Sequence, residues 1–164
     1  MSNHVSVIRV MRIRLTICLV CLAALAATSA PVNFYSVNNL FGISMRVTNS
    51  ICKDENGFIW ASSKTGILRL TDDDYRIYQL PFETTGAISV KLAYRHGKLF
   101  AYTNNGQVFS YHPQLDKFGM VLNLAQFIGN SHFDVYNLLI DPAGGLWFAL
   151  DIGLYKFHDG QLTL

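Results

Sequence analysis

One pattern of turn-forming and aromatic residues recurs along the chain and restricts its fold more than any other feature. The pattern is an aspartate followed by glycine, tryptophan and glycine at spacings of 3, 3 and 6 residues, at Asp54, Gly57, Trp60 and Gly66 and again at Asp141, Gly144, Trp147 and Gly153. A looser copy between them keeps Gly97, Phe100 and Gly106 and has Tyr94 in place of the aspartate. The copies start 40 and 47 residues apart, counted from Gly57 to Gly97 to Gly144. A period of about 40–50 residues is typical of propeller blades.

Each copy predicts four short antiparallel strands. The segments DENG and DPAG place aspartate first and glycine fourth, as a type I turn between two strands requires. Further polar turns follow at "KTG", "TNNG" and "TDDD", and apolar or alternating runs lie between them. Four antiparallel strands per repeat make one blade. We therefore predict an all-β fold, an incomplete β-propeller of about three four-stranded blades near residues 47–80, 86–122 and 134–164, with at most a helical turn near 123–128.

The repeated residues have a structural explanation. We predict that Trp60, Phe100 and Trp147 fill the wedge between neighbouring blades, where each large ring removes about 150–250 Å² from water. The glycines permit turn conformations that a Cβ would resist, and the aspartates bind the backbone of their own turns. A catalytic acid or a metal ligand has no reason to recur once per repeat.

Residues 1–31 predict a secretory signal peptide. Arg9, Arg12 and Arg14 precede an apolar run at 15–27 and then small residues. The run is shorter than the roughly 20 residues that cross a membrane, and an uncleaved N-terminal anchor is the alternative. Without this leader, ten basic residues face eleven acidic ones, a formal charge of −1. The folded part, residues 32–164, therefore offers no basic field for nucleic acid.

Cys52 is the one cysteine outside the leader, which contains Cys18 and Cys21. A single thiol forms no internal disulfide, so the fold must be held by its core. Because Cys52 lies in an apolar-alternating stretch, we predict a buried, inert thiol.

No catalytic, metal or cofactor site is predicted. The histidines are scattered without metal-binding spacing, the acidic run at 72–74 suits a solvated turn, and no phosphate loop or nucleophile motif occurs. If the propeller has a ligand face, loops joining the blades and loops between second and third strands would form it. The candidates on those loops are Arg46, Lys64, Asn104 and His132, with Tyr102 and Phe133 as stacking surfaces for sugar rings.

The stretches "SICKDENGFIWASSKTGILRL" and "LLIDPAGGLWFALDIGLYKF" resemble the two-component regulator propeller repeat. The resemblance covers roughly residues 33–164, and the middle copy departs from it. Such repeats build the periplasmic sensor region of hybrid two-component systems of Bacteroides-type bacteria. In that family the propellers precede an Ig-like domain, a membrane helix, a histidine kinase and usually a response regulator.

The resemblance implies an exported, non-enzymatic module in the periplasm, or attached to the inner membrane, that senses glycans or oligosaccharides and regulates carbohydrate-utilisation genes. No kinase or second hydrophobic span follows the third repeat, so we expect a fragment or truncated form of such a sensor. Three blades leave two apolar faces open, and we expect further blades of the same chain or another copy to cover them. Membrane contact is expected only through the leader or a missing downstream span. The alternatives are a fragment of a secreted propeller enzyme, such as a lyase, or a small glycan-binding protein.

Overall fold

The computed structural model describes residues 14–16, 33–42, 45, 47–64, 66–71, 73–82, 88–129 and 132–164. The chain divides into two compact units, Met1–Ser36 and Val37–Leu164. In the first unit residues 14–16 are helical, and the rest of the predicted signal peptide lies outside the described residues. Within the described part of the chain, no helix has the length and apolar character needed to cross a membrane.

The second unit consists of three four-stranded antiparallel sheets. Blade 1 contains β1 (Thr48–Lys53), β2 (Ile59–Ser63), β3 (Gly66–Leu70) and β4 (Tyr75–Tyr78). Blade 2 contains β5 (Val90–Arg95), β6 (Lys98–Thr103), β7 (Gln107–His112) and β8 (Lys117–Asn123). Blade 3 contains β9 (Val135–Ile140), β10 (Leu146–Leu150), β11 (Gly153–His158) and β12 (Gln161–Thr163). Two short helices, α1 (Val37–Phe41) and α2 (Ala125–Ile128), precede blades 1 and 3.

Each sheet is a simple meander in which consecutive strands pair. Strand β5 contacts β1 and β2 of the preceding blade and β9 of the following blade. The first strands of the three blades are therefore side by side, and β4, β8 and β12 are the outer edges. This arrangement confirms the predicted all-β fold of three four-stranded propeller blades, and α2 confirms the expected helical turn.

The repeated glycines have the positive φ that their turns need. In the first repeat the Gly57 N–H donates to the carbonyl of Asp54 at 3.1 Å, and the Asp54 N–H donates to the carbonyl of Phe58 at 3.0 Å. Gly57 has φ of +89°, a conformation that side chains disfavour. Gly106 is more restricted, because at φ of +87° an added Cβ would lie 2.8 Å from the Phe133 ring.

Two apolar cores lie between the blades. The core between blades 1 and 2 contains Trp60, Ile67 and Phe109, all buried. The core between blades 2 and 3 contains Val108, Leu124 and Phe148, with Phe100 packed against it. Trp60 and Phe100 thus fill the wedges as predicted. Trp147 differs, since it is only half-buried.

Cys52 packs against the core between blades 1 and 2 and is half-buried, which is less burial than predicted. Burial, together with the nearby charge of Asp54, raises the pKa of the thiol to about 11. A thiol with this pKa is almost wholly protonated at neutral pH, so it is a poor nucleophile.

Candidate ligand site

The aspartate and tryptophan of each full repeat are hydrogen-bonded to each other. Asp54 accepts the backbone N–H groups of Asn56 and Phe58 at 3.0 Å each through one oxygen, and the Trp60 Nε1–H at 2.8 Å through the other. The predicted role of this aspartate as an anchor of its own turn is therefore correct but incomplete. The carboxylate also fixes the orientation of the indole ring that closes the blade interface.

Blade 3 repeats this arrangement. Asp141 accepts the Gly145 N–H at 2.7 Å and the Trp147 Nε1–H at 3.1 Å. Lys156 adds an ion pair to the same carboxylate at 3.0 Å. The bond from Lys156 is the largest of the effects that hold the pKa of Asp141 well below its usual range, and the Gly145 and Trp147 donors act in the same direction.

In blade 2 both residues of this pair are replaced, the aspartate by Tyr94 and the tryptophan by Phe100. Its Tyr94 hydroxyl accepts the N–H of Gly97 at 3.2 Å in its own turn and the N–H of Glu55 at 3.0 Å in the turn of blade 1. The Phe100 side chain has no N–H to match the indole Nε1–H of Trp60, so no carboxylate is needed there. The paired loss of aspartate and tryptophan is the sequence signal that could have revealed the bond.

A polar cluster joins the outer strands of blades 1 and 2. Asp116, in the turn between β7 and β8, accepts the hydroxyls of Tyr78 and Tyr111 at 2.6 Å each and pairs with Arg69 at 3.3 Å. It also pairs with Arg76. Burial alone would raise the pKa of Asp116, but the two hydroxyls and the two arginines outweigh burial and lower it. Burial and the bond to Asp116 raise the pKa of Tyr78. The tyrosines therefore act as neutral donors.

A cleft of about 230 Å³ opens between blades 1 and 2, beside this cluster. We call it the aromatic cleft. Its walls combine rings with polar groups from the turns: Asp54, Glu55, Asn56, Phe58, Trp60, Arg69, Tyr94, Gly97, Leu99, Tyr111 and Pro113. The Arg69 guanidinium lies 5.3 Å from the centre of the Phe58 ring, and its Nε–H is buried without a hydrogen-bond partner among the described atoms. Concave sites with apolar walls and a few directed polar groups are typical of ligand binding.

A smaller cleft of about 110 Å³ occupies the equivalent place between blades 2 and 3. Arg95, His96 and Lys98 line one side, and the turn from Asp141 to Gly144 lines the other. The Arg95 guanidinium donates to the carbonyl of Ile140 at 3.2 Å, which ties the two blades together. This cleft is basic and lacks the aromatic walls of the first.

The clefts lie at the opposite end of the strands from the predicted ligand residues Lys64, Asn104 and His132. Both clefts lie at the end of the strands that carries the turns between first and second strands. Lys64, by contrast, follows β2, Asn104 follows β6 and His132 precedes β9. Lys64 and His132 are exposed. Arg46 lies outside the described residues.

Asn104 ties its loop to two neighbours. Its side-chain oxygen accepts the Ser89 N–H at 2.9 Å, and its backbone carbonyl accepts the Val135 N–H at 2.8 Å. These bonds join the lead-in segments of blades 2 and 3, the residues just before β5 and β9, to the turn after β6. Asn104 therefore has a structural role in holding these segments in place.

The prediction that Tyr102 and Phe133 form a stacking surface for sugars is wrong. Both side chains are buried in the core between blades 2 and 3. The Tyr102 hydroxyl donates to the side-chain oxygen of Asn137 at 3.2 Å, and the Phe133 ring packs over Gly106. Aromatic rings at this end of the strands are used for packing between blades.

Among the residues that the structure describes, no three His, Cys, Asp or Glu side chains are grouped to hold a metal ion. The polar groups of the aromatic cleft are instead a guanidinium, carboxylates, an amide and phenol hydroxyls. Such groups bind a hydroxyl-rich ligand by directed hydrogen bonds.

The fold matches solved extracellular domains of bacterial signalling proteins. The chain superposes on two structures of the extracellular domain of BT4673 from B. thetaiotaomicron, assigned to a hybrid two-component system in one and to a one-component system in the other, with TM-scores of 0.62 and 0.64 and identities of 19% and 18%. These matches cover 77% and 83% of this chain. The resemblance inferred from the repeats is confirmed at the level of the fold.

The chain spans only 17% and 18% of the length of those two structures. The extracellular domain of BT3049, assigned to a hybrid two-component system of the same organism, matches 74% of the chain with a TM-score of 0.51 and 14% identity. YCF48 from Cyanidioschyzon merolae matches 78% of the chain with a TM-score of 0.55 and 13% identity. No protein-family model and no curated protein sequence matches the chain.

Proposed function

We propose that this chain is a ligand-sensing propeller module of a two-component signalling system. In this role it lies outside the cytoplasm, recognises a glycan or oligosaccharide, and contributes to the control of carbohydrate-utilisation genes. The observation that carries the proposal is the match of its three blades to extracellular domains of signalling proteins. Recognition, not catalysis, is the activity that we assign to it.

The aromatic cleft supports the choice of ligand. The apolar face of a sugar ring packs well on aromatic side chains, and the cleft offers Phe58, Tyr94 and Tyr111. Sugar hydroxyls need both donors and acceptors, which Asn56 and Glu55 provide at its rim. The cleft is therefore chemically suited to a hydroxyl-rich ring.

The position of the cleft also suits a sensor. Its two walls belong to different blades, and the Tyr94 hydroxyl connects them through the N–H of Glu55 at 3.0 Å. A ligand that bridges the walls would bind best at one separation of the blades, and it would shift the module toward that arrangement. Such a change can be passed on to a signalling domain.

The test measures binding of a panel of neutral and acidic oligosaccharides to the 164-residue chain, using tryptophan fluorescence and calorimetry as the readouts. Trp60 lines the cleft, so its emission should change with the bound ligand. We expect Asn56→Ala to weaken binding at least tenfold. Lys64→Ala, at the opposite end of the strands, is the matched control and should leave affinity unchanged.

Two results would contradict the proposal. If no oligosaccharide binds, the assignment of a glycan ligand fails. If Lys64→Ala abolishes binding and Asn56→Ala does not, the ligand site lies on the face originally predicted from the sequence and not in the cleft.

A further inference from the structure

The face of blade 3 that points away from blade 2 has the chemistry of a blade interface but no covering partner among the described residues. In blade 1, Cys52, Trp60 and Arg69 lie side by side across β1, β2 and β3. In blade 3, Leu139, Trp147 and Lys156 occupy the same three positions across β9, β10 and β11. We call this set, with Leu154 beside it, the trailing face of blade 3.

Burial at equivalent positions differs sharply. Ile67 of β3 is 0% exposed, because blade 2 packs over it. Leu154, which takes the same place in β11, is 56% exposed, and Leu139 is also 56% exposed. A soluble surface seldom carries adjacent large apolar residues without a binding role. Within the molecule, the equivalent face of blade 1 is covered by the opposite face of the next blade, which we call the leading face of that blade.

Blade 1 presents a face of that kind at the other end of the unit. Its leading face includes Ile51, 68% exposed, and Ile77, 50% exposed. Ile51 pairs with Ala61 across the sheet as Leu92 pairs with Ala101 in blade 2, and Ile77 pairs with Leu68 as Met120 pairs with Phe109. Leu92 and Met120 both pack into the core against blade 1.

The lead-in segments extend this equivalence. Met45 packs on Ala61 and Leu68 of the leading face, as Ile88 packs into the core between blades 1 and 2. Met45 therefore sits within the surface that a preceding blade would contact, and it completes that surface instead of blocking it.

Charge on the two faces is complementary. Arg69, at the edge of the trailing face of blade 1, meets Asp116 in the outer turn of blade 2. Lys156, which also pairs with Asp141 of its own blade at 3.0 Å, holds the position of Arg69 in blade 3. The outer turn of blade 1 carries the exposed acids Asp73 and Asp74. Opposite charges would thus meet if the leading face of blade 1 packed on the trailing face of blade 3.

We propose that the trailing face of blade 3 in one copy of this chain binds the leading face of blade 1 in a second copy. This contact is head to tail, and two such contacts close a ring. Two copies of three blades give six blades, within the 4 to 8 found in closed propellers. The proposal concerns a different surface from the aromatic cleft and does not depend on the ligand.

The experiment measures the mass of the 164-residue chain in solution by light scattering during size-exclusion chromatography. We expect twice the chain mass of 18.4 kDa. Leu154→Glu places a charge in the trailing face and should reduce the mass to that of one chain. Leu115→Glu is the matched control, because Leu115 is 63% exposed in the turn before β8, away from both faces. Circular dichroism checks that each variant is folded.

A mixing experiment tests the direction of the contact. Ile77→Glu damages only the leading face and should also give single chains. Mixed with the Leu154→Glu chain, it should form a heterodimer, because each variant keeps the face that the other lacks. A monomeric wild-type chain, an intact assembly in Leu154→Glu, or mixed variants that stay separate would overturn the proposal.

Discussion

Removing the charge of Asp116 should measure how strongly the outer strands of blades 1 and 2 are held together. The substitution Asp116→Asn keeps the size of the side chain and one acceptor oxygen. Its control is Asp159→Asn in the outer turn of blade 3. The two aspartates have φ of +47° and +48°, and asparagine tolerates this conformation well. Any backbone effect therefore cancels between them.

The contacts of Asp116 set the expected magnitude. It accepts two hydroxyls at 2.6 Å and a guanidinium at 3.3 Å, and a hydrogen bond to a charged group contributes about 1.5–3 kcal/mol. The pair with the exposed Arg76 adds at most about 1 kcal/mol. Because asparagine still accepts one hydroxyl, we expect a loss of about 2–3 kcal/mol. Asp159 is exposed and pairs only with His158 among the described residues, so its loss should stay within about 0.5 kcal/mol.

Urea unfolding at pH 7, followed by circular dichroism, gives both values. With about 1–3 kcal/mol per molar urea for a small protein, Asp116→Asn should lower the midpoint by about 0.7–3 M. The folded state lowers the pKa of Asp116 below its ordinary value of 3.8. The contribution of Asp116 to stability is therefore complete above that pH and is lost as the pH falls below it. In acid, the wild-type and Asp116→Asn chains should therefore have similar free energies of unfolding. Equal effects of Asp116→Asn and Asp159→Asn at pH 7 would refute this account of the cluster.

Two further predictions concern single residues. Gly106→Ala should lower the free energy of unfolding in urea by about 3 kcal/mol, because of its positive φ and because the new Cβ would lie 2.8 Å from Phe133. Gly129→Ala, with φ of +68° and open space around it, should lower it by only about 1 kcal/mol, and equal losses would contradict the packing argument. The Cys52 thiol, with its pKa raised from 9.0 to about 11, should react about 100-fold more slowly with iodoacetamide at pH 7 in the folded chain than in urea. That rate is measured with the leader cysteines replaced by serine, and a folded rate equal to the rate in urea would show that the thiol is not shielded.

Features set by neighbouring residues could be predicted from the sequence. The turn from Asp54 to Gly57 depends on the backbone demands of four residues, and the spacing alone identified it. The strands followed from the short apolar runs between such turns. The position of Trp60 in the wedge followed from its recurrence, because a repeated large ring needs a repeated place to be buried.

Features that depend on distant parts of the chain could not be predicted in this way. Tyr111 is 42 residues from Arg69, with which it hydrogen-bonds, and no pattern in the sequence places them in one cleft. Phe133 lies in a lead-in segment that reads as an exposed loop, yet that segment folds back over Gly106. Burial there is decided by the approach of the next blade, which the local sequence does not specify.

The hydrogen bond between Asp54 and Trp60 also limits how such repeats can diverge over evolution. If tryptophan is replaced first, a carboxylate oxygen in a part-buried setting loses its donor. If aspartate is replaced first, an indole N–H at the blade interface loses its acceptor. Each single step lowers stability, so the Tyr94 and Phe100 combination of the middle repeat is most easily reached when the two changes occur close together in time. Related chains should therefore keep or lose this pair as a unit.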